Sequence, residues 1–222
     1  MSEPNKNSEI QTPSDFVQEL PEREQIVSEL RAAREEALAK YFSMVSVRLK
    51  RIVNFRLDYR LGGRVSDSDV IQETYVRAAQ RIDSFLEKDD MPFFVWLRLE
   101  LTQKLHEIHR QHLGASKRDI RKEVKLNGAV SGKTSMAMAA HIVAQLTSAS
   151  RLIERAEQIA YLEKALSEMN ELDREVIALR HYEELSNIET AQALNIEPSA
   201  ASKRYLRALK RLKQIMESAK EL

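Results

Sequence analysis

The sequence predicts an all-α protein of two helical domains joined by a flexible linker. Helix-forming residues dominate the 222-residue chain, and glycine and proline occur only five times each. No run of β-branched residues alternates strictly with polar ones, as a half-buried strand would require. Hydrophobic residues make up 43% of the chain and charged residues 31%, a balance typical of water-soluble helical proteins with real cores.

Composition excludes several kinds of chemistry. The chain has no cysteine, which excludes disulfides, thiol catalysis and cysteine-ligated metal sites. The N-terminus lacks the apolar core of a signal peptide, and no run approaches the roughly 18 apolar residues of a membrane span. We therefore expect a cytoplasmic protein without membrane insertion.

The first part of the chain predicts a tail and then a helical domain. Residues 1–25 are polar and proline-rich, which indicates a flexible tail. From Ile26 to Leu57 apolar residues recur at helical spacing and predict one or two amphipathic helices, which Leu61-Gly62-Gly63 then ends. Ser66 or Asp67 can cap the next helix, DSDVIQETYVRAAQRIDSFL.

A long helix is predicted from about Phe93 to His112, after the break at Pro92, and the basic segment KRDIRKEVK follows it. The first domain is therefore placed at residues 26–125. Small and hydroxyl-bearing residues then predict a linker over residues 126–155, with a short helix near Met136 to Leu146. Helical periodicity resumes at Leu152 and predicts a second domain over residues 156–222.

The second domain contains the pattern of a helix-turn-helix. Ser186 or Asn187 can cap a short helix, in which Ala191 is small enough for two helices to cross closely. Asn195 stands where the turn needs a left-handed residue, and Pro198 suits the first turn of the next helix. These residue types at this spacing predict a helix-turn-helix.

The helix after this turn, from Ser199 to Met216, separates apolar from basic side chains at 100° per residue. One face carries Ala201, Tyr205, Ala208 and Leu212. The opposite face carries Lys203, Arg204, Arg207, Lys210 and Arg211. Because a solvated helix normally mixes charge signs, we interpret it as a recognition helix in the major groove of DNA. The alternative is a three-helix bundle with a solvated basic face.

Four other patterns are candidates for binding or catalytic sites. Phe93, Phe94 and Trp96, followed by basic residues, can stack on single-stranded nucleic acid, but they can equally form a core, which we favour for Trp96. NGAVSGKTS is too short for a phosphate-binding loop and follows no strand. The series His106, His109 and His112 lacks a completing carboxylate or cysteine for zinc. Glu183-Glu184 is interpreted as part of a solvated face, and no catalytic constellation is found.

Three segments in order resemble a known family, the bacterial sigma factors of RNA polymerase. SDSDVIQETYVRAAQRIDSF resembles the helix that grips the polymerase clamp, and FFVWLRLELTQKLHEIHR the adjoining helix that reads and melts the −10 promoter element. ELDREVIALRHYEELSNIETAQALNIEPSAASKRYLRALKRL resembles the C-terminal domain that binds the −35 element. Two domains and a linker match the small, extracytoplasmic-function (ECF) type, although Asn195 replaces the common glycine.

The resemblance implies roles for particular residues. The polymerase contacts would be Asp69, Gln72 and Glu73. The contacts to the −10 element would be Arg98, Lys104, His109 and Arg110. The contacts to the −35 element would be Ser199, Ser202, Lys203, Arg204 and Arg207.

The implied function is promoter recognition and melting by a sigma factor bound to RNA polymerase core. Its partners would be polymerase core, promoter DNA and an anti-sigma or other regulatory protein, with no enzymatic activity and no cofactor. One alternative is a conventional helix-turn-helix regulator that does not join polymerase. Another is a helical adaptor that binds a protein through its basic face.

Overall fold

A computed structural model describes residues 20–57, 61, 64–113, 132–146 and 152–218. Within these ranges the regular elements are all helical, so the predicted all-α class is confirmed. The helices are α1 (Arg23–Ala32), α2 (Arg34–Arg56), α3 (Asp67–Leu86), α4 (Phe93–Leu113), α5 (Gly132–Leu146), α6 (Leu152–Glu168), α7 (Glu171–Ile177), a π-helical turn (Ala178–Tyr182), α8 (Asn187–Leu194) and α9 (Pro198–Ser218).

Contacts divide the chain into two compact units, one ending at Val47 and the other running from Arg48 to Leu222. The second unit contains helices from both predicted domains, α3 and α4 as well as α6 to α9. Most of the predicted tail, the basic segment after α4 and the ends of the predicted linker lie outside the described residues. The predicted domain boundaries therefore stay predictions.

The first unit shows whether the stretch that begins at Ile26 forms one helix or two. The predicted stretch from Ile26 is two helices, because α1 ends before Ala33 and α2 begins at Arg34. Ile26 and Leu30 are buried on α1 at the i,i+4 spacing of one helix face.

Helices α3 and α4 pack through aromatic side chains. Ser66 caps α3, with its hydroxyl accepting a hydrogen bond from the Asp69 N–H. The rings of Phe85, Phe93 and Trp96 lie with centroids 5.2 to 5.8 Å apart, a spacing that favours tilted and edge contacts. Trp96 is therefore a core residue, as predicted.

Helix α5 confirms the short helix predicted inside the linker. Its Met138, Ala139 and Val143 are buried in the core formed with α6, α7 and α9. Phe55 of α2 belongs to the same core. Each such fully buried large side chain contributes about 1.5–3 kcal/mol, so this core holds α5 and the end of α2 against the C-terminal helices.

Candidate nucleic-acid interface

The turn between α8 and α9 has helix-turn-helix geometry. Ser186 and Glu189 form a reciprocal capping box that begins α8. Asn195 ends α8 in the left-handed conformation, with φ 52° and ψ 50°, which asparagine tolerates better than most residues. The Ile196 N–H donates to the Ala191 carbonyl at 2.9 Å and closes the turn. The predicted cap and left-handed residue are both confirmed.

Helix α9 begins at Pro198 and buries one face while exposing the other. The buried face of α9 carries Ala201, Ala208 and Leu212. Lys203, Arg207, Lys210 and Arg211 are exposed, and Arg204 is half-buried. The surface left to solvent is thus strongly basic along several turns.

Asn187 joins the two helices of the motif. Its amide nitrogen donates to the Pro198 carbonyl at 2.9 Å, and its amide oxygen accepts from the Ser202 hydroxyl at 3.0 Å. The structure therefore places Ser202 at the junction of the helices, whereas Ser199 is exposed at the start of α9.

The predicted polymerase contacts lie on the first turns of α3. Asp69, Gln72 and Glu73 are all exposed. The Asp69 carboxylate also accepts from the Ser66 N–H at 3.3 Å, completing a capping box. Asp69 therefore stabilises the helix start in addition to any contact that it makes outside the chain.

On α4, Lys104 and His109 are half-buried and Arg110 is exposed. The Arg77 guanidinium of α3 donates to Glu100, Gln103 and Glu107 of α4 at 2.5 to 2.8 Å. These three hydrogen bonds fix the register of the two helices, because side chains on successive turns of α4 bind the same arginine, Arg77.

Arg98, by contrast, lies in the interior with no exposed side-chain surface. Its guanidinium pairs with Glu183 and reaches Glu175 at 3.5 Å. Arg56 of α2 pairs with the same two carboxylates, at 2.8 Å from Glu175. In this arrangement DNA cannot reach Arg98, so its predicted contact with the −10 element needs the helices to separate.

The four charges are matched but deeply buried. Burial by itself would raise the pKa of Glu183, yet the nearby charges of Arg56 and Arg98 outweigh it and lower that pKa to about 2. The same cluster raises the pKa of Arg56 despite the opposing effect of burial. Arg56 and Glu183 therefore stay ionised near neutral pH.

The interpretation of Glu183-Glu184 as a solvated face is wrong for Glu183. Glu184 is exposed, but the Glu183 side chain is fully buried by arginines from α2 and α4. Arg56 and Glu175 were not predicted as functional residues. The available signal was weak: Glu175 directly precedes the apolar run Val176-Ile177-Ala178-Leu179, where a lone acid is unusual.

Comparisons with known proteins agree with this geometry. Residues 159–212, which include α7 to most of α9, match the family described as sigma-70, region 4. The chain is 26% identical over 162 residues to the ECF RNA polymerase sigma factor SigW of Bacillus subtilis (strain 168), covering 72% of this chain and 81% of SigW. The fold is also similar to CnrH, solved in complex with the cytosolic domain of CnrY, with a TM-score of 0.50, 19% identity and coverage of 87% and 96%.

The helix-turn-helix and its basic helix thus define a sigma region 4 module of the DNA-binding class. The match to SigW extends well beyond that module, so the family model and this relative together support an ECF sigma factor. No helix in the described ranges is long and apolar enough to cross a membrane.

Proposed function

We propose that this chain joins RNA polymerase core and directs it to promoters, where it recognises and melts DNA to start transcription. The observation that carries this function is the basic face of α9 in a capped helix-turn-helix. The apolar face of α9 is buried by its own domain, so the opposite face is free to enter a DNA groove.

Helix α9 reads the −35 element in this proposal. The exposed Ser199 stands at the helix start, where side chains reach base edges, and Lys203 and Arg207 follow on the solvent face to neutralise phosphates. Ser202 contributes indirectly, because its hydroxyl is bonded to Asn187 and fixes α9 against α8.

Helices α3 and α4 carry the remaining contacts. Exposed Asp69, Gln72 and Glu73 dock on the polymerase clamp, and α4 lies along the −10 element with Lys104, His109 and Arg110. Bases flipped from the duplex cost a few kcal/mol each, offset by stacking and hydrogen bonds in protein pockets. The chain's role is positional, since sigma factors are DNA-binding regulators and not enzymes.

A regulatory protein partner and a cytoplasmic location belong to the same proposal. CnrH was solved in complex with the cytosolic domain of CnrY, and that likeness supports an anti-sigma partner for this chain. The place of action is the cytoplasm, where polymerase core and the chromosome are found.

Run-off transcription with purified chain and polymerase core tests the function. We expect a discrete transcript from a promoter template that neither component gives alone. A conventional regulator would bind the DNA alone and give no transcript with core, and an adaptor would do neither. Either of those outcomes overturns the proposal.

Matched variants assign the effect to α9. Lys203→Ala together with Arg207→Ala should reduce the transcript strongly. Lys213→Ala removes a charge from the same helix, but Lys213 lies off the basic face and pairs with Glu217 at 3.6 Å. That control should transcribe like the unchanged chain, and equal loss in both variants would rule out a groove-specific role.

A further inference from the structure

Arginines of α2 and α4 converge on one carboxylate of the C-terminal helices. Arg56 and Arg98 both pair with the Glu183 side chain, and the Arg48 guanidinium donates to the Glu183 carbonyl at 3.2 Å. Glu175 completes the buried set through Arg56. We call Arg56, Arg98, Glu175 and Glu183 the ionic lock.

Further contacts surround the ionic lock. The rings of Phe55 and Tyr182 stack with centroids 4.0 Å apart. The Gln192 amide of α8 donates to the Asp90 carbonyl, just before α4, at 2.8 Å. The lock therefore lies within a continuous contact between α2 and α4 on one side and the π-helical turn and α8 on the other.

The ionic lock is neutral but incompletely satisfied. The Nη1 atom of Arg98 is buried with no hydrogen-bond acceptor among the described residues. Removing ionised side chains from water is costly, and a buried ion pair regains that cost only with excellent geometry and complete hydrogen bonding. Such a contact specifies one arrangement of the helices without making it deeply stable, which suits a reversible interface.

The arginine side chains buried in the ionic lock can also bind nucleic acid. Guanidinium groups form paired hydrogen bonds with carboxylates and with phosphates alike. In the proposed function α4 faces promoter DNA, and Arg98 is one of its predicted contacts. Glu175 and Glu183 thus occupy the guanidinium groups that a nucleic-acid backbone would otherwise bind.

We propose that the ionic lock holds the free sigma factor closed, with its own glutamates masking the arginine surface of α2 and α4, and that initiation requires this contact to open. The link to initiation rests on the proposed function, whereas the closed arrangement itself does not. Opening exposes Arg98 and Arg56 to DNA and separates α8 from α4. The lock is thus a self-masking interaction surface whose intramolecular partner is the α7 and π-turn segment.

A distance measurement tests the lock without polymerase. Because the chain has no cysteine, Gln80→Cys on α3 and Gln214→Cys on α9, both exposed, can carry spin labels alone. We expect one narrow distance distribution for this labelled chain, and a longer and broader one when Glu183→Gln is added.

Glu171→Gln is the matched control, because Glu171 is an exposed acid on the same helix as Glu175. It should leave the distance unchanged. A Glu183→Gln chain that keeps its helical circular dichroism and the original distance would overturn the lock. If the Glu183→Gln chain loses its helical circular dichroism signal, it has unfolded and its distance does not report on the lock. A second experiment, which alters no member of the lock, then tests it.

That second experiment joins Asp90→Cys to Gln192→Cys with a bis-maleimide linker containing a disulfide. These residues touch at the edge of the interface, so the linker holds it closed. We expect run-off transcripts to fall at least about tenfold in the linked chain, as for a conformational equilibrium forced to one side, and to return when a reductant cleaves the linker. Full transcription by the linked chain would overturn the lock. If the chain gives no transcript either before or after cleavage, the result counts against the proposed function, and the distance measurement alone then tests the lock.

Discussion

The Glu73 carboxylate of α3 lies 2.6 Å from the Lys104 ammonium of α4. Glu73 is a predicted contact to polymerase and Lys104 a predicted contact to DNA, so the pair joins the two proposed interfaces. The Glu73 side chain is 52% exposed and Lys104 only 21%, and such partly solvated pairs contribute about 0.2–1 kcal/mol. The pair can therefore exchange for outside partners at little cost.

Charge reversal on α3 should weaken binding to polymerase core. Glu73→Lys removes a proposed clamp contact and repels Lys104, and we expect at least about a tenfold loss of affinity, equivalent to about 1.4 kcal/mol. Titration of labelled chain with core measures it. Glu87→Lys makes the same charge change at the exposed C-terminal cap of α3 and should bind normally. Unchanged affinity of Glu73→Lys would remove the clamp assignment, and Asp69 is a poorer test because its loss also removes the helix cap.

Promoter affinity should fall steeply with salt, because phosphate contacts release counterions. Lys203→Ala and Arg207→Ala should each lower the slope of log affinity against log salt concentration by about 1. Anisotropy titrations of polymerase-bound chain at several salt concentrations measure this slope. Lys213→Ala should retain the original slope, and an affinity independent of salt would contradict the groove arrangement.

Removing Arg98 alone should destabilise the fold strongly. In Arg98→Met the buried carboxylates of Glu175 and Glu183 must share Arg56. We expect the free energy of unfolding to fall by about 3–5 kcal/mol. Adding Glu183→Leu restores neutrality, because Arg56 and Glu175 remain as a pair, and should recover much of that loss. Urea unfolding followed by circular dichroism gives both values. Simple additivity of the two substitutions would show that the charges do not act as a unit.

Acid should destabilise the protein in two stages. Burial lowers the pKa of His181, His141 and His106 below the ordinary value of 6.5. The unfolded chain then binds more protons than the folded one as the pH falls below 6.5, so stability is present above that pH and lost below it. Glu183, whose pKa is lowered from 4.5 to about 2, adds a second loss below pH 4.5 for the same reason.

Unfolding free energies measured from about pH 7 to about pH 3 should therefore decline in both windows. His181→Gln should flatten the first window, because the ring is half-buried and hydrogen-bonded to the Tyr205 hydroxyl at 2.7 Å. Stability that does not change between about pH 7 and about pH 5 would contradict the histidine account.

The parts of the fold that could be predicted from the sequence are local. The Ser186 cap, the left-handed Asn195 and the start of α9 at Pro198 depend on residues within a few positions of one another. The two faces of α9 follow from a single helical period. For the same reason the sequence could predict the core role of Trp96 and the helix around Met138.

Glu183 could not be predicted, because its environment is built from distant residues. Its partners Arg98 and Arg56 lie 85 and 127 positions away. A pair of adjacent acids looks solvated in any short window, and only the packing of α4 and α2 on the π-helical turn buries one of them. The burial of Arg98 was missed for the same reason, since a resemblance assigns a residue to a partner but not to a conformational state.

Mapping the 5′ ends of transcripts made on genomic fragments by polymerase core with this chain tests the central claim most directly. The account predicts a set of discrete start sites that share sequence elements near −35 and −10, and that disappear when Lys203→Ala and Arg207→Ala are combined. Start sites scattered as with core alone, sharing no upstream elements, would contradict it.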